Sequence, residues 1–132
     1  MKPLSRFGLT VAAAAFSASL LALSGCAGPA YSELYGTRYY RTPIDTYPVQ
    51  VVSVDDEYYL MHPARVEPGR HVVKVQGPPA GAWSRGDTRT IELDVKACTR
   101  YWLVAVKENR LSNDFAVKVD YEEPMSGCRP PA

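Results

Sequence analysis

Few side chains in this sequence of 132 residues are of types that do chemistry, and they are scattered. There are 3 cysteines (Cys26, Cys98, Cys128) and 2 histidines (His62, His71). A nucleophilic enzyme needs a base next to its nucleophile. Neither G-x-S-x-G nor H-E-x-x-H occurs. His71 lies in a strand-like stretch and His62 precedes Pro63 in a turn-like one, so both read as structural or surface residues. Met61-His62, with Met125 elsewhere, offers soft and imidazole ligands of the kind copper accepts, but two adjacent residues do not make a site. Asp55-Asp56-Glu57 lacks the alternating oxygens and the glycine of an EF-hand, and reads as a hydrated turn. Trp83, in the loop GPPAGAWSRGD, has Arg85 and Asp87 beside it and is the candidate ligand contact, a stacking platform for a sugar. Trp102 sits mid-strand and reads as packing. The expectation is a protein without catalytic residues, metal or dissociable cofactor.

The elements that hold these residues begin with a segment to be discarded. Residues 1–6 (MKPLSR) are short and positive, and residues 7–23 are apolar and uncharged, the plan of a secretory signal. A permanent span needs about 20 strongly apolar residues, and much of this run is Ala and Ser. The run ends in Leu23-Ser24-Gly25-Cys26, which resembles the lipobox of bacterial lipoproteins. The resemblance implies cleavage between Gly25 and Cys26, diacylglycerol on the Cys26 thiol and an acyl chain such as palmitate on the new amine. Several chains at about 0.8 kcal/mol per buried methylene make an essentially permanent anchor. Ala27, not Asp, follows the cysteine. In a Gram-negative cell the resemblance then implies the periplasmic leaflet of the outer membrane.

With Cys26 assigned to lipid, Cys98 and Cys128 remain as an even pair in an oxidising compartment, expected to form a disulfide. Lys2 and Arg6 leave with the signal, so the mature chain carries a charge of about −1. That weak field, without a basic run, speaks against nucleic acid.

Residues 26–48 (lipidated Cys26, then a stretch with 3 prolines and many tyrosines) show no helical or strand period and are expected to be a tether. Its tyrosines suit packing on the domain, a membrane interface or a partner. From Val49 the period is 2. Strands are expected at Val49–Val54, Tyr58–Met61, His71–Gln76, Thr90–Lys96, Tyr101–Val106 and Phe115–Tyr121, with turn signals between them. Inward positions are Val73, Val75, Ile91, Leu93, Val95, Tyr101, Leu103, Phe115, Val117, Val119 and Tyr121. The pattern predicts an all-β fold, a small antiparallel sandwich of about seven strands over residues 49–128 with a tail at 129–132.

VEPGRHVVKVQG, followed by an alternating charged strand and CTRYWLVAV, resembles PEGA-type and related Ig- or transthyretin-like envelope modules. The C-x-R-Y at Cys98–Tyr101 with a C-terminal cysteine is also similar to proteobacterial envelope lipoproteins. These resemblances imply the fold; the lipid anchor, the small disulfide-tied sandwich and the lack of a catalytic set lead to the expectation of a non-enzymatic module that works by contact with an envelope protein. A glycan-binding accessory domain and a copper handler are the alternatives.

Overall fold

The computed structural model describes residues 29–36 and 43–130. They form two sheets packed face to face, with no helix among the described residues. The strands are β1 (Ser32–Tyr35), β2 (Thr46–Pro48), β3 (Gln50–Val54), β4 (Glu57–Tyr58), β5 (Ala64–Val66), β6 (Gly69–Gln76), β7 (Thr88–Val95), β8 (Thr99–Val106) and β9 (Ala116–Pro124). One sheet runs β4-β3-β6-β7 and is antiparallel throughout. The other is built on β8. β9 lines one edge of β8, and β2 and β1 share the other edge end to end, opposite Val104–Val106 and Arg100–Trp102 respectively. β5 lies outside β1.

The period-2 stretches became the long strands β6, β7 and β9, because alternation gives each an apolar face to bury, and the stretch apolar on both faces became β8, which has strands on both edges. Val73, Val75, Leu93, Val95, Tyr101, Leu103 and Phe115 point inward and are buried, joined by Leu34, Val51 and Ala105. Ile91, Val117 and Val119 pack partly against this core. Each fully buried aliphatic side chain contributes about 1.5–3 kcal/mol. Tyr121 departs from the expectation and is 45% exposed. The register slips between Trp102 and Leu103, where β9 carries Asp120 as an extra residue. Such a bulge reverses which side chains face inward, so Tyr121 pairs with Trp102 on the outer face.

The stretch expected to be a tether supplies two strands. β1 is the only parallel partner of β8 among the described strands, and its Leu34 is fully buried. Ser32, also buried, donates from its hydroxyl to the Lys96 carbonyl (2.6 Å) and accepts the Thr99 N–H (2.9 Å), locking β1 to the turn between β7 and β8. After β2 the chain changes sheet at Val49, whose N–H reaches the Gly36 carbonyl at 2.7 Å. A Cβ on Gly36 would collide with the Val49 carbonyl, so only glycine fits there. The sandwich therefore starts by Ser32. Both sheets, the core and the disulfide lie within residues 32–128, the self-contained core expected of an independently folding unit.

The second expected strand is cut short. β4 ends at Tyr58, and Leu60 and Met61 stand 95% and 81% exposed beyond it. Asp55 and Asp56 both take left-handed backbone angles (φ 48° and 65°), a two-residue hairpin turn built without glycine.

Candidate functional site

The outer face of the β8 sheet carries two ordered rows. In the first, pairing sets Arg65 of β5 opposite Glu33 of β1, Glu33 opposite Arg100 of β8, and Arg100 opposite Glu123 of β9. The charges alternate across all four strands. Arg100 donates from Nε to Glu33 (3.1 Å) and from Nη1 to Glu123 (3.0 Å), and Arg65 Nε lies 3.8 Å from the other Glu33 oxygen. The Glu33 side chain is only 8% exposed, so this carboxylate is close to a buried charge and depends on its guanidinium partners.

The second row is aromatic: Tyr35 of β1, Trp102 of β8 and Tyr121 of β9. Tyr35 stacks on Trp102 with centroids 4.3 Å apart, and the Arg100 guanidinium lies 5.4 Å from the centre of the Tyr35 ring. Burial, and then the Glu33 carboxylate, push the Tyr35 phenol above its ordinary value, so it stays protonated. The result is a pile of cation, ring and ring beside a row whose two arginines balance its two glutamates. It clamps strands far apart in sequence.

A second cluster joins the β3–β4 turn to β6 in the other sheet. His71 Nδ1 meets Asp55 Oδ2 at 2.6 Å, and Nε2 meets the Glu67 carbonyl at 2.7 Å. Both partners only accept, so both ring nitrogens donate and the ring is an imidazolium. Burial opposes the charge, but the bonds to Asp55 and Glu67 outweigh it and raise the His71 pKa. The Val72 N–H (2.8 Å) and then the His71 ring hold Asp55 below the ordinary carboxylate value. Glu57, Tyr59 and Arg65 line the same hollow.

The sign for stability follows. A raised histidine pKa gives stability that is complete below about pH 6.5 and lost as pH rises through the higher folded value. The depressed Asp55 gives stability that is present above its ordinary value and lost as pH falls through the lower folded one. Melting temperature should therefore fall from weakly acid to alkaline pH, and His71→Gln should flatten that slope. An unchanged slope in the variant would refute the imidazolium.

The other candidates fall as follows. Cys98 and Cys128 are bonded, with Cα atoms 5.5 Å apart, at the end of the sandwich where β8 begins. Within the C-x-R-Y stretch, Arg100 holds Glu33 and Glu123, and the Tyr101 hydroxyl accepts the Lys96 N–H at 2.9 Å from inside the core. Those residues are structural. Trp83 is fully exposed on its loop, away from both rows. Its neighbour Ser84 spends its hydroxyl on Gly81. Met61 and His62 are exposed, and among the described residues no three His, Cys, Asp or Glu side chains converge on a metal position. Gly25 and Cys26, the expected cleavage and lipid sites, lie outside the described residues.

Glu33, Arg65, Glu123 and the Asp55–His71 pair were not singled out as a group by the sequence. Their spacing becomes regular only across paired strands. No family model matches this chain, and no curated protein or solved structure matches it.

Proposed function

We propose that this chain is an envelope lipoprotein, held by lipid on Cys26, whose sandwich acts as a non-enzymatic interaction module. The address rests on Leu23-Ser24-Gly25-Cys26 behind an apolar run. The resemblance to other lipoproteins points to the periplasmic leaflet of the outer membrane. β1 starts six residues after Cys26, so the intervening chain reaches at most about 20 Å and keeps the domain close to its anchor.

The observation that carries the interaction reading is exposed apolar side chains. Ile44, Leu60, Met61, Trp83 and Leu111 are all more than 80% exposed. They stand on separate loops, Leu60 and Met61 between β4 and β5, Ile44 before β2, Trp83 between β6 and β7 and Leu111 between β8 and β9, and offer a partner several apolar contacts. By contrast, the charged groups with the tightest geometry, Glu33, Arg100, Glu123, Asp55 and His71, are spent on joining strands. Crosslinking in intact cells through a photoreactive residue at Ala82, beside Trp83, should give one dominant adduct. A ladder of abundant bystanders, or no adduct, would contradict the reading.

A further inference from the structure

Among the strands with an open side, all but one are closed to further pairing. β4 has 2 residues, and β2 and β5 have 3 each, too few to hold another strand. β9 is long, but it carries the bulge at Asp120, an exposed Lys118 and a terminal Pro124. β7 has none of these defences. Its 8 residues pair with β6 without a register shift, and none of them is Pro, Gly or Lys. β6 is its only ladder partner among the described strands. A long, regular edge of this kind is a template for another strand.

The hydrogen bonds say which groups face the open side. The Gly77 N–H donates to the Asp87 carbonyl (2.9 Å), one step beyond the last β6–β7 pair, so Asp87 faces β6. Backbone direction alternates along a strand. Arg89, Ile91, Leu93 and Val95 therefore also turn their N–H and C=O to β6, and Thr88, Thr90, Glu92 and Asp94 turn theirs to the open side. Val72 agrees, since its carbonyl and its N–H both bond Asp55 on the β3 side, and its partner Glu92 must then face outward. The Thr88 carbonyl takes Nη1 of Arg89 (3.1 Å). The side chains of these four residues are exposed on the outer face, and Ile91 packs partly against the core at the rim.

We propose that β7 pairs antiparallel with β7 of a second copy of this chain, with Ile91 opposite its own counterpart, so that two four-stranded sheets become one. β7 is its own complement in this register. Thr90 faces the partner's Glu92 and Thr88 faces the partner's Asp94, so each carboxylate meets a hydroxyl and Ile91 meets Ile91. The neighbouring registers fail. A pairing centred on Glu92 sets that carboxylate against itself, and one centred on Leu93 sets Glu92 against Asp94. Centred on Thr90, the pairing leaves Asp94 beyond its end. A slip of one residue sets inner side chains against outer ones. The two-fold axis of the favoured pairing runs perpendicular to the sheets. Both β8 sheets, which contain β1, then lie on the same side, and the chains leading from Cys26 can enter one leaflet. A contact along one edge is small, so the dimer is weak in solution and gains when both copies share a membrane. The inference goes beyond the interaction reading above. It depends neither on the exposed loops nor on lipid at Cys26.

The test uses residues 27–132 without lipid. Sedimentation equilibrium should show a monomer–dimer equilibrium at concentrations up to about 1 mM. Thr90→Lys sets a cation opposite the partner's Glu92 and should tighten the dimer about fivefold. Thr90→Glu sets like charges there and should weaken it by about as much. Neither substitution removes a bond to β6, so the melting temperature of dilute protein should stay close to that of the parent. On mild oxidation, Ile91→Cys should form a disulfide between copies. Thr88→Cys is more exposed but stands about 20 Å from its counterpart in this register, and should not. A parent protein that stays monomeric throughout, equal dimer constants for the two Thr90 variants, or crosslinking of Thr88→Cys in preference to Ile91→Cys would overturn the proposal. Any of these results leaves the cellular crosslink beside Trp83 as a separate test of the interaction reading.

Discussion

Replacing Cys98 and Cys128 together by alanine is expected to cost about 3.5 kcal/mol of stability. The bond closes a sequence separation of 30 residues, and the chain-entropy account scales the effect with that loop. The location adds to it. Cys98 immediately precedes β8, which pairs with β1, β2 and β9, and the Met125 N–H after β9 donates to the Cys98 carbonyl at 2.8 Å. For a domain of this size, with a total stability of about 5–10 kcal/mol, the loss is a large fraction. Urea unfolding should show a lower midpoint in the variant. A shift worth under about 1 kcal/mol would mean that the cysteines are not bonded in the native protein.

Arg100→Ala is expected to cost about 3 kcal/mol, more than most surface-face substitutions in a sheet. The guanidinium holds two strands at once, to Glu33 on β1 and Glu123 on β9, and it covers the Tyr35 ring. Without it, the Glu33 carboxylate keeps only Arg65 at 3.8 Å and the Tyr35 hydroxyl at 3.4 Å while remaining nearly buried. The cost comes from leaving a charge buried, not from losing an attraction in water. Glu33→Leu with Arg100→Leu should therefore be much less damaging than Arg100→Ala alone. Denaturation midpoints of the two variants separate the cases, and a double variant worse than the single one would refute this account of the row.

Part of this was legible before any coordinates. β6, β7 and β9 follow from alternation that turns Val73, Leu93 and Val117 toward the core, and β8 from a run apolar on both faces. The bond from Cys98 to Cys128 follows from the cysteine count once Cys26 is set aside. β1 was hidden for a physical reason. Ser-Glu-Leu-Tyr is too short to show a period, and its stability comes from β5 and β8, about 30 and 67 residues further along the chain. β5, three residues long, was hidden in the same way. Asp120 shows nothing in sequence that marks it as a bulge, so alternation alone places Tyr121 on the inner face. The charged row was equally invisible, because an alternation perpendicular to the strands has no period along the chain. Trp83, His71 and the Asp55 turn were visible as residues, but their exposure and bonds were not.

The measurement that bears most directly on the functional account is the mass of the mature N-terminus. The protein isolated from membranes of cells that make it should begin at Cys26, with diacylglycerol on sulfur and a third acyl chain on the amine. Cys26→Ala should remove that mass and abolish retention by the outer membrane. A chain that begins elsewhere, or that carries Cys26 as a free thiol, would contradict the lipoprotein reading.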